Sequence, residues 1–181
     1  GFSWIVNDAE HRQWEGWYGT EQNATINRLG MLSCQRLHRE AASFHGDVFQ
    51  IGARATLKPY GTTYEQAERF YRSVEFPVPG QATADDRGGY PIRYGDRNFA
   101  FTPDELRGVE TETQGWIQFE TAEYIIDTDL RDRVLDLMAA QGRNKACGFV
   151  GPFDAILREG ELPEVENAVD SLFRAGAERG V

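Results

Sequence analysis

The sequence predicts a single α+β domain over residues 1–181, with about five helices and a mainly antiparallel sheet. Segments of helical periodicity bounded by capping residues recur along the chain. Short alternating segments rich in strand-forming residues lie between them. The chain has 181 residues, of which 40% are hydrophobic, which is sufficient for one core without disulfides. No repeat and no domain linker interrupts it.

The first half of the chain is predicted to contain three helices and one strand. A capping pattern indicates a short helix at residues 7–14, and a longer helix is expected at 20–44. Residues 48–57 alternate and favour a strand, which a proline and a glycine end. Two overlapping capping boxes then begin a helix at residues 62–76.

The second half is predicted to contain a hairpin, further strands and three clear helices. Residues 92–101 alternate around Gly95-Asp96, a pair suited to a tight turn. One or two strands are expected within 111–126. Amphipathic patterns with caps or a leading proline predict the helices, at residues 127–141, 152–159 and 163–173.

The segment at residues 77–91 is predicted to be a long loop. It has no periodic apolar pattern and is rich in proline and glycine. Loops of this length serve either as mobile linkers or as functional lids, and we favour the linker.

The charge of the chain argues against some partners. The formal net charge is −10, and the acidic excess lies entirely in residues 61–181. Nucleic acids and anionic membranes bind clustered lysine and arginine, so neither is expected as a partner. Apolar stretches last only a few residues, which predicts no membrane insertion.

Cysteine and histidine provide the first candidate site. On the helix predicted at 20–44, Cys34 and His38 are four residues apart and could touch, and His45 lies on the same side further along. A thiolate–imidazole pair or a zinc site would need further ligands. The sequence His45-Gly46-Asp47 resembles an iron-binding pair, but no histidine follows it. We therefore interpret Cys34, like Cys147, as a reduced packing residue.

An acidic stretch between residues 104 and 136 provides the second candidate site. Glu123, Asp127 and Asp129 are its best local group for a hard cation. The group lacks the spacing of a calcium loop, so a solvated acidic face or a docking face for a basic partner is favoured. We expect no metal and no cofactor.

Four aromatic residues near the N-terminus predict a contact surface, because they exceed what one short helix can easily bury. These residues are Trp4, Trp14, Trp17 and Tyr18. Tryptophan and tyrosine are common anchors in protein interfaces. Binding to a protein partner or self-association is expected through them.

No nucleotide, metalloprotease or hydrolase motif occurs in the chain. The hypothesis is therefore a non-catalytic interaction or assembly subunit of a larger complex, such as a virion or an organellar assembly. The alternative is a small enzyme that uses Cys34 and His38, or the acidic stretch, with loop 77–91 as a lid. A cytoplasmic location or one within an assembly is favoured, and a processed N-terminus is compatible with the missing initiator methionine.

Overall fold

The computed structural model describes seven parts of the chain: residues 3–8, 16–37, 48, 52–74, 113–142, 145–159 and 163–181. For residues 16–18, 154 and 158–159 only the backbone is described. The predicted hairpin around Gly95-Asp96 and the predicted loop 77–91 lie outside these ranges.

The described strands form one sheet in which all neighbours are parallel. Their spatial order follows the chain order, so each strand pairs with the next one along the sequence. The prediction of a mainly antiparallel sheet is therefore wrong. The strands are β1 Trp4–Asp8, β2 Leu32–Arg36, β3 Ala55–Lys58, β4 Gln114–Phe119 and β5 Ala146–Val150.

Six helices accompany the strands in the described ranges. They are α1 Gly16–Arg28, α2 Tyr64–Val74, α3 Ala122–Ile125, α4 Thr128–Ala140, α5 Phe153–Glu159 and α6 Pro163–Arg179. Helix α4 begins where Asp127 accepts a hydrogen bond from the Leu130 N–H, as its capping pattern predicts. The predictions of α2, α4, α5 and α6 are confirmed in type and approximate position.

Three predicted elements differ from the observed ones. The long helix predicted at 20–44 ends at Arg28, and β2 follows after a turn at Gly30, which has a positive φ. Residues 4–8 form a strand, so the capping pattern there starts no helix at residue 7. After β4, residues 122–125 are helical, and β5 was not predicted at all.

The two faces of the sheet build two separate cores. Ile117 and Phe119 of β4 pack against buried side chains of α2, α4 and α6 on the helix-bearing face. The other face holds Cys34, Ala55, Leu57 and Trp116. Successive residues of a strand point to opposite faces, which explains why adjacent residues of β4 belong to different cores.

The sheet is strongly curled around its second face. The ring of Trp4, on edge strand β1, lies 5.5 Å from that of Trp116 and 6.1 Å from that of Phe149 on the opposite edge strand β5. In a flat sheet strands β1 and β5 would be about 19 Å apart, which is too far for side chains to meet. The face that holds Trp116 is therefore concave, and the helices cover the convex face.

The loops after β3 and β4 are fastened together. The Thr121 hydroxyl donates to the carbonyl of Gly61, and the Tyr124 hydroxyl donates to the carbonyl of Thr63 at 2.7 Å. Gly61 lies directly against the Tyr124 ring, where a Cβ atom would overlap the ring carbons. Glycine is thus required at residue 61 by the close approach of a fully buried side chain.

We expect Gly61→Ala to lower the free energy of unfolding by about 1 to 3 kcal/mol, because the buried Tyr124 ring has to move. Gly148→Ala is the matched control, since its Cβ would lie 3.5 Å from the Phe119 ring, an ordinary contact. Urea denaturation of both variants measures the difference. Equal stability of the two proteins would contradict the described packing of Gly61.

Candidate functional site

Charged and polar side chains collect at the carboxyl edge of the sheet. Asp8 and Arg36 are the last residues of β1 and β2, Lys58 ends β3, and Glu120 directly follows β4. Because parallel strands all end at the same edge, these residues come together although they are far apart in sequence. In open and closed parallel sheets this edge is where ligands bind.

Arg36 lies between two carboxylates. Its Nη1 atom is 3.4 Å from Oδ2 of Asp8, and its Nη2 atom is 3.4 Å from Oε2 of Glu120. The Asp8 side chain is 39% exposed, whereas the Glu120 side chain is only 6% exposed. The guanidinium thus connects a partly exposed carboxylate to a buried one at the carboxyl edge of the sheet.

Glu120 is held at both carboxylate oxygens. Oε2 accepts a hydrogen bond of 2.7 Å from Nε2 of Gln118, and Oε1 accepts one from the backbone N–H of Tyr60. A buried carboxylate is stable only with such partners and a nearby cation. The position of this carboxylate is therefore fixed by β2, by β4 and by the loop after β3.

Gln118 fills the space beside Glu120 on the concave face. It follows Trp116 by two residues, so the two side chains share a face. A Cβ atom at Gly151, which follows β5, would lie 3.1 Å from Nε2 of Gln118, so this glycine leaves room for the amide. Oε1 of Gln118 is buried and accepts no hydrogen bond from the residues that the structure describes.

Lys58 lies at the same edge but on the helix-bearing side, because Leu57 faces the concave core. Only 3% of the residue is exposed, and Nζ donates to the carbonyl of Pro59 at 3.2 Å. Burial lowers the pKa of Lys58 to about 8, and the negative charge of Glu120 opposes this change. This lysine is partly neutral near pH 8.

Oxygen ligands for a cation are limited in the described ranges. No group of three histidine, cysteine, aspartate or glutamate side chains there could hold a metal ion. The Ala155 N–H donates to the carbonyl of Glu120 at 2.9 Å, which places the backbone of Asp154 beside Glu120.

The structure does not support the geometry expected for Cys34. This residue lies on strand β2, not on a helix, so the four-residue spacing to His38 no longer indicates that the two residues share a helix face. Cys34 is fully buried in the concave core, and burial together with Cys147 raises the pKa of its thiol. Cys34 and Cys147 are free thiols. His38 and His45 lie outside the described residues.

The acidic candidates do not form one site. Asp127 caps α4 through the Leu130 N–H, and Asp129 is exposed in the first turn of that helix. Glu123 is half-buried on α3. The residue of the acidic stretch that joins the charged edge is Glu120, which the sequence analysis did not single out. The sequence feature that could have identified Glu120 is its position directly after an apolar strand and before a helix cap.

The aromatic candidates are only partly described. Trp4 is 44% exposed and packs edge-on against Trp116 and Phe149 of its own sheet. Trp17 and Tyr18 lie on α1 without described side chains, and Trp14 lies outside the described residues. A contact surface formed by these four residues stays a prediction.

Fold and site together define a βα-barrel type of protein. Its parallel strands follow one another in chain order, helices cover the convex face, and a charged group lies at the carboxyl edge. Within the described ranges, no helix combines the length and apolar character that a bilayer crossing requires.

Comparisons with known proteins agree with this class. No protein-family model matches the chain. A sequence relative is the 5-keto-4-deoxy-D-glucarate aldolase of Klebsiella pneumoniae subsp. pneumoniae, which is 24% identical over 185 residues, covering 99% of this chain and 67% of the relative. The chain thus spans about two thirds of the length of this relative.

Two solved structures share the fold. The HpcH/HpaI aldolase from Desulfitobacterium hafniense DCB-2 superimposes with a TM-score of 0.77 at 18% identity, over 100% of this chain and 67% of that one. An HpcH/HpaI aldolase/citrate lyase family protein from Burkholderia cenocepacia J2315 gives a TM-score of 0.75 at 24% identity, over 100% and 69% of the respective chains. The similarity covers the whole of this chain.

These findings correct the functional hypothesis. The proteins to which this chain is similar carry the names of aldolases, which are enzymes. The hypothesis of a non-catalytic interaction or assembly subunit is therefore wrong. The expectation that the protein is not an enzyme is wrong as well. Contiguous motifs along the chain do not reveal an enzyme here, because the charged edge is assembled from four separate strands.

The buried amine of Lys58 makes stability depend on pH. A lysine whose pKa is lowered to about 8 on folding binds fewer protons than the unfolded chain between about pH 8 and its ordinary value of 10.5. Stability therefore rises with pH across that window. From pH 7.5 to 9.5 we expect a contribution of about 2 kcal/mol, measured by urea denaturation.

Lys58→Met isolates this contribution, since the raised pKa values of Cys34 and the buried tyrosines act in the opposite direction in both proteins. The stability difference between wild type and variant should change by about 2 kcal/mol between the two pH values. A difference that does not depend on pH would show that Lys58 is not buried as described.

Proposed function

We propose that this protein is an aldolase-type enzyme that breaks or forms the bond between the carbon next to the ketone and the hydroxyl-bearing carbon of a small hydroxy keto acid. The observation that carries the proposal is Arg36, held between Asp8 and Glu120 at the carboxyl edge of the sheet. The names of the similar proteins support the same reaction class.

The chemistry of the reaction matches the groups at this edge. Cleavage removes the proton of a hydroxyl group on the second carbon from the ketone, and the bond between that carbon and the carbon next to the ketone breaks. The electron pair moves to the ketone as an enolate, which then takes up a proton, so one keto acid and one aldehyde result. A carboxylate such as Glu120 can accept the hydroxyl proton, and the cation of Arg36 can stabilise the enolate oxygen.

The substrate class follows from charge and from the relative. The chain is acidic overall, but Arg36 provides a positive group at the edge, and carboxylates pair well with guanidinium. The named substrate of the Klebsiella relative is a keto acid with two carboxylates. A small dicarboxylate or monocarboxylate keto acid is therefore the class to test.

Cleavage of 5-keto-4-deoxy-D-glucarate, followed by proton NMR of the keto acid and aldehyde products, tests the proposal. Glu120→Gln keeps the shape and the hydrogen-bond acceptor of the side chain but removes its charge, so we expect kcat to fall about 100-fold or more. Glu166→Gln, on the exposed face of α6, is the matched control and should retain wild-type turnover.

Two results would contradict the proposal. One is wild-type protein that cleaves neither this compound nor other 4-hydroxy-2-keto acids, with and without added divalent ions. The other is undiminished turnover in Glu120→Gln.

Arg36 has a separate test, because it serves both binding and charge stabilisation. Arg36→Met should lower kcat/KM about 100-fold or more, since the oxygen that becomes negative loses its cation. It should also lower stability, because buried Glu120 is left without its counterion. Arg36→Lys restores the charge without the planar fork and should recover part of kcat/KM. Equal losses in both variants would argue against an electrostatic role.

Self-association through Trp4, Trp14, Trp17 and Tyr18 also stays a proposal, as does the single domain over residues 1–181. The exposed 44% of Trp4, on the first strand of the described sheet, supports a contact surface there.

A further inference from the structure

The loop after β3 contains an unusual backbone conformation. Tyr60 has a φ of 52°, and it is the one non-glycine residue with a positive φ among the residues that the structure describes. This left-handed conformation costs a residue with a Cβ atom about 1 to 2 kcal/mol. Such conformations persist only where the surroundings enforce them, and they are concentrated at functional sites.

Hydrogen bonds to the residues on both sides of Tyr60 hold its left-handed conformation in place. On one side, Nζ of Lys58 donates to the carbonyl of Pro59. On the other side, the Thr121 hydroxyl donates to the carbonyl of Gly61. The residues flanking Tyr60 are thus held independently, one by β3 and one by the loop after β4.

In this conformation the backbone of Tyr60 forms a hydrogen bond with the charged edge. The N–H of Tyr60 donates to Oε1 of Glu120, while Gln118 and Arg36 contact Oε2. Without the N–H of Tyr60, Oε1 would lose the backbone donor that fixes the plane of the carboxylate. The positive φ at residue 60 joins this hydrogen-bonded N–H to the fastened carbonyls of Pro59 and Gly61 on either side.

We propose that Tyr60 is a positioning residue that uses its left-handed backbone to orient the carboxylate of Glu120 for proton transfer. This inference rests on the proposed function for the role of Glu120, but the hydrogen bond itself can be tested without any substrate. The ring of Tyr60 is not required for this role; the N–H and the positive φ are.

Hydrogen exchange tests the geometry directly. In protein labelled with ¹⁵N-tyrosine, the amide signal that disappears in Tyr60→Phe belongs to residue 60, because phenylalanine carries no label. This amide should exchange at least about 100-fold more slowly than in an unstructured chain and should lose that protection in Glu120→Ala. Protection that survives Glu120→Ala would overturn the proposal and leave the proposed function intact.

Measurements of kcat test whether the hydrogen bond between Tyr60 and Glu120 contributes to catalysis. Tyr60→Gly keeps the N–H and relieves the strain at positive φ, whereas Tyr60→Pro removes the N–H and forces φ negative. We expect kcat of Tyr60→Pro to be at least ten times lower than that of Tyr60→Gly, with a smaller change in KM. Thr128→Pro controls for proline itself, because an exposed first helical position with an extended preceding residue tolerates it.

A double-mutant cycle separates positioning from general destabilisation. In the Glu120→Ala background no carboxylate is left to orient, so Tyr60→Pro should lower the residual kcat less than about threefold. The same loss in both backgrounds, or equal kcat of Tyr60→Gly and Tyr60→Pro, would overturn the proposal. Full turnover of Glu120→Ala would instead reject the role of Glu120 in the proposed function, and the exchange measurement would still report on the hydrogen bond.

Discussion

Parallel pairing of the five strands in chain order places all their carboxyl ends at one edge of the sheet. The register then decides which residues meet there: Asp8 of β1 is paired with Arg36 of β2, and both follow residues of the concave core by two positions. A shift of one residue in β2 would turn Arg36 towards the helices and separate it from Asp8. The electrostatics of the edge therefore depend on backbone hydrogen bonds formed several residues away.

The convex side of the sheet is held in two different ways. Around β4, the aromatic side chains Phe70 and Phe119 fill the space between helices and sheet. Around β1 and β2, helix α1 is attached through side-chain amides: Nδ2 of Asn7 donates to Oδ1 of Asn23 at 3.0 Å, and the Ser33 hydroxyl donates to Oδ1 of Asn27 at 3.0 Å. Apolar packing provides most of the free energy, whereas these directional contacts specify one arrangement of α1.

Helices were predictable from the sequence because their ends carry local chemical signals. The Asp127 cap and Pro163 mark helix starts that the structure confirms. Strands were harder, since a parallel strand buried on both faces shows no alternation. Leu32–Arg36, which is buried at its centre, was assigned to a helix for this reason, and Ala146–Val150, which is half-buried throughout, was assigned to no element. Without the strands, their direction and thus the fold class could not be obtained.

The candidate site could not be predicted from local sequence patterns, for a related reason. Glu120 is one of many acids in its part of the sequence, and only its position after β4 distinguishes it. The four-residue spacing of Cys34 and His38 attracted attention because a helix was assumed, and a strand makes that spacing meaningless. Residues from different strands meet through topology, which no spacing along the chain reveals.

The contact between Trp4 and Phe149 has a consequence for how the chain folds. These rings belong to the first and the last described strand, so the concave core cannot be completed until β5 is available. Contacts between residues so distant in sequence slow folding, because the chain must close long loops before they form. During synthesis, the early strands must therefore emerge with the indole of Trp4 still lacking its neighbour on β5.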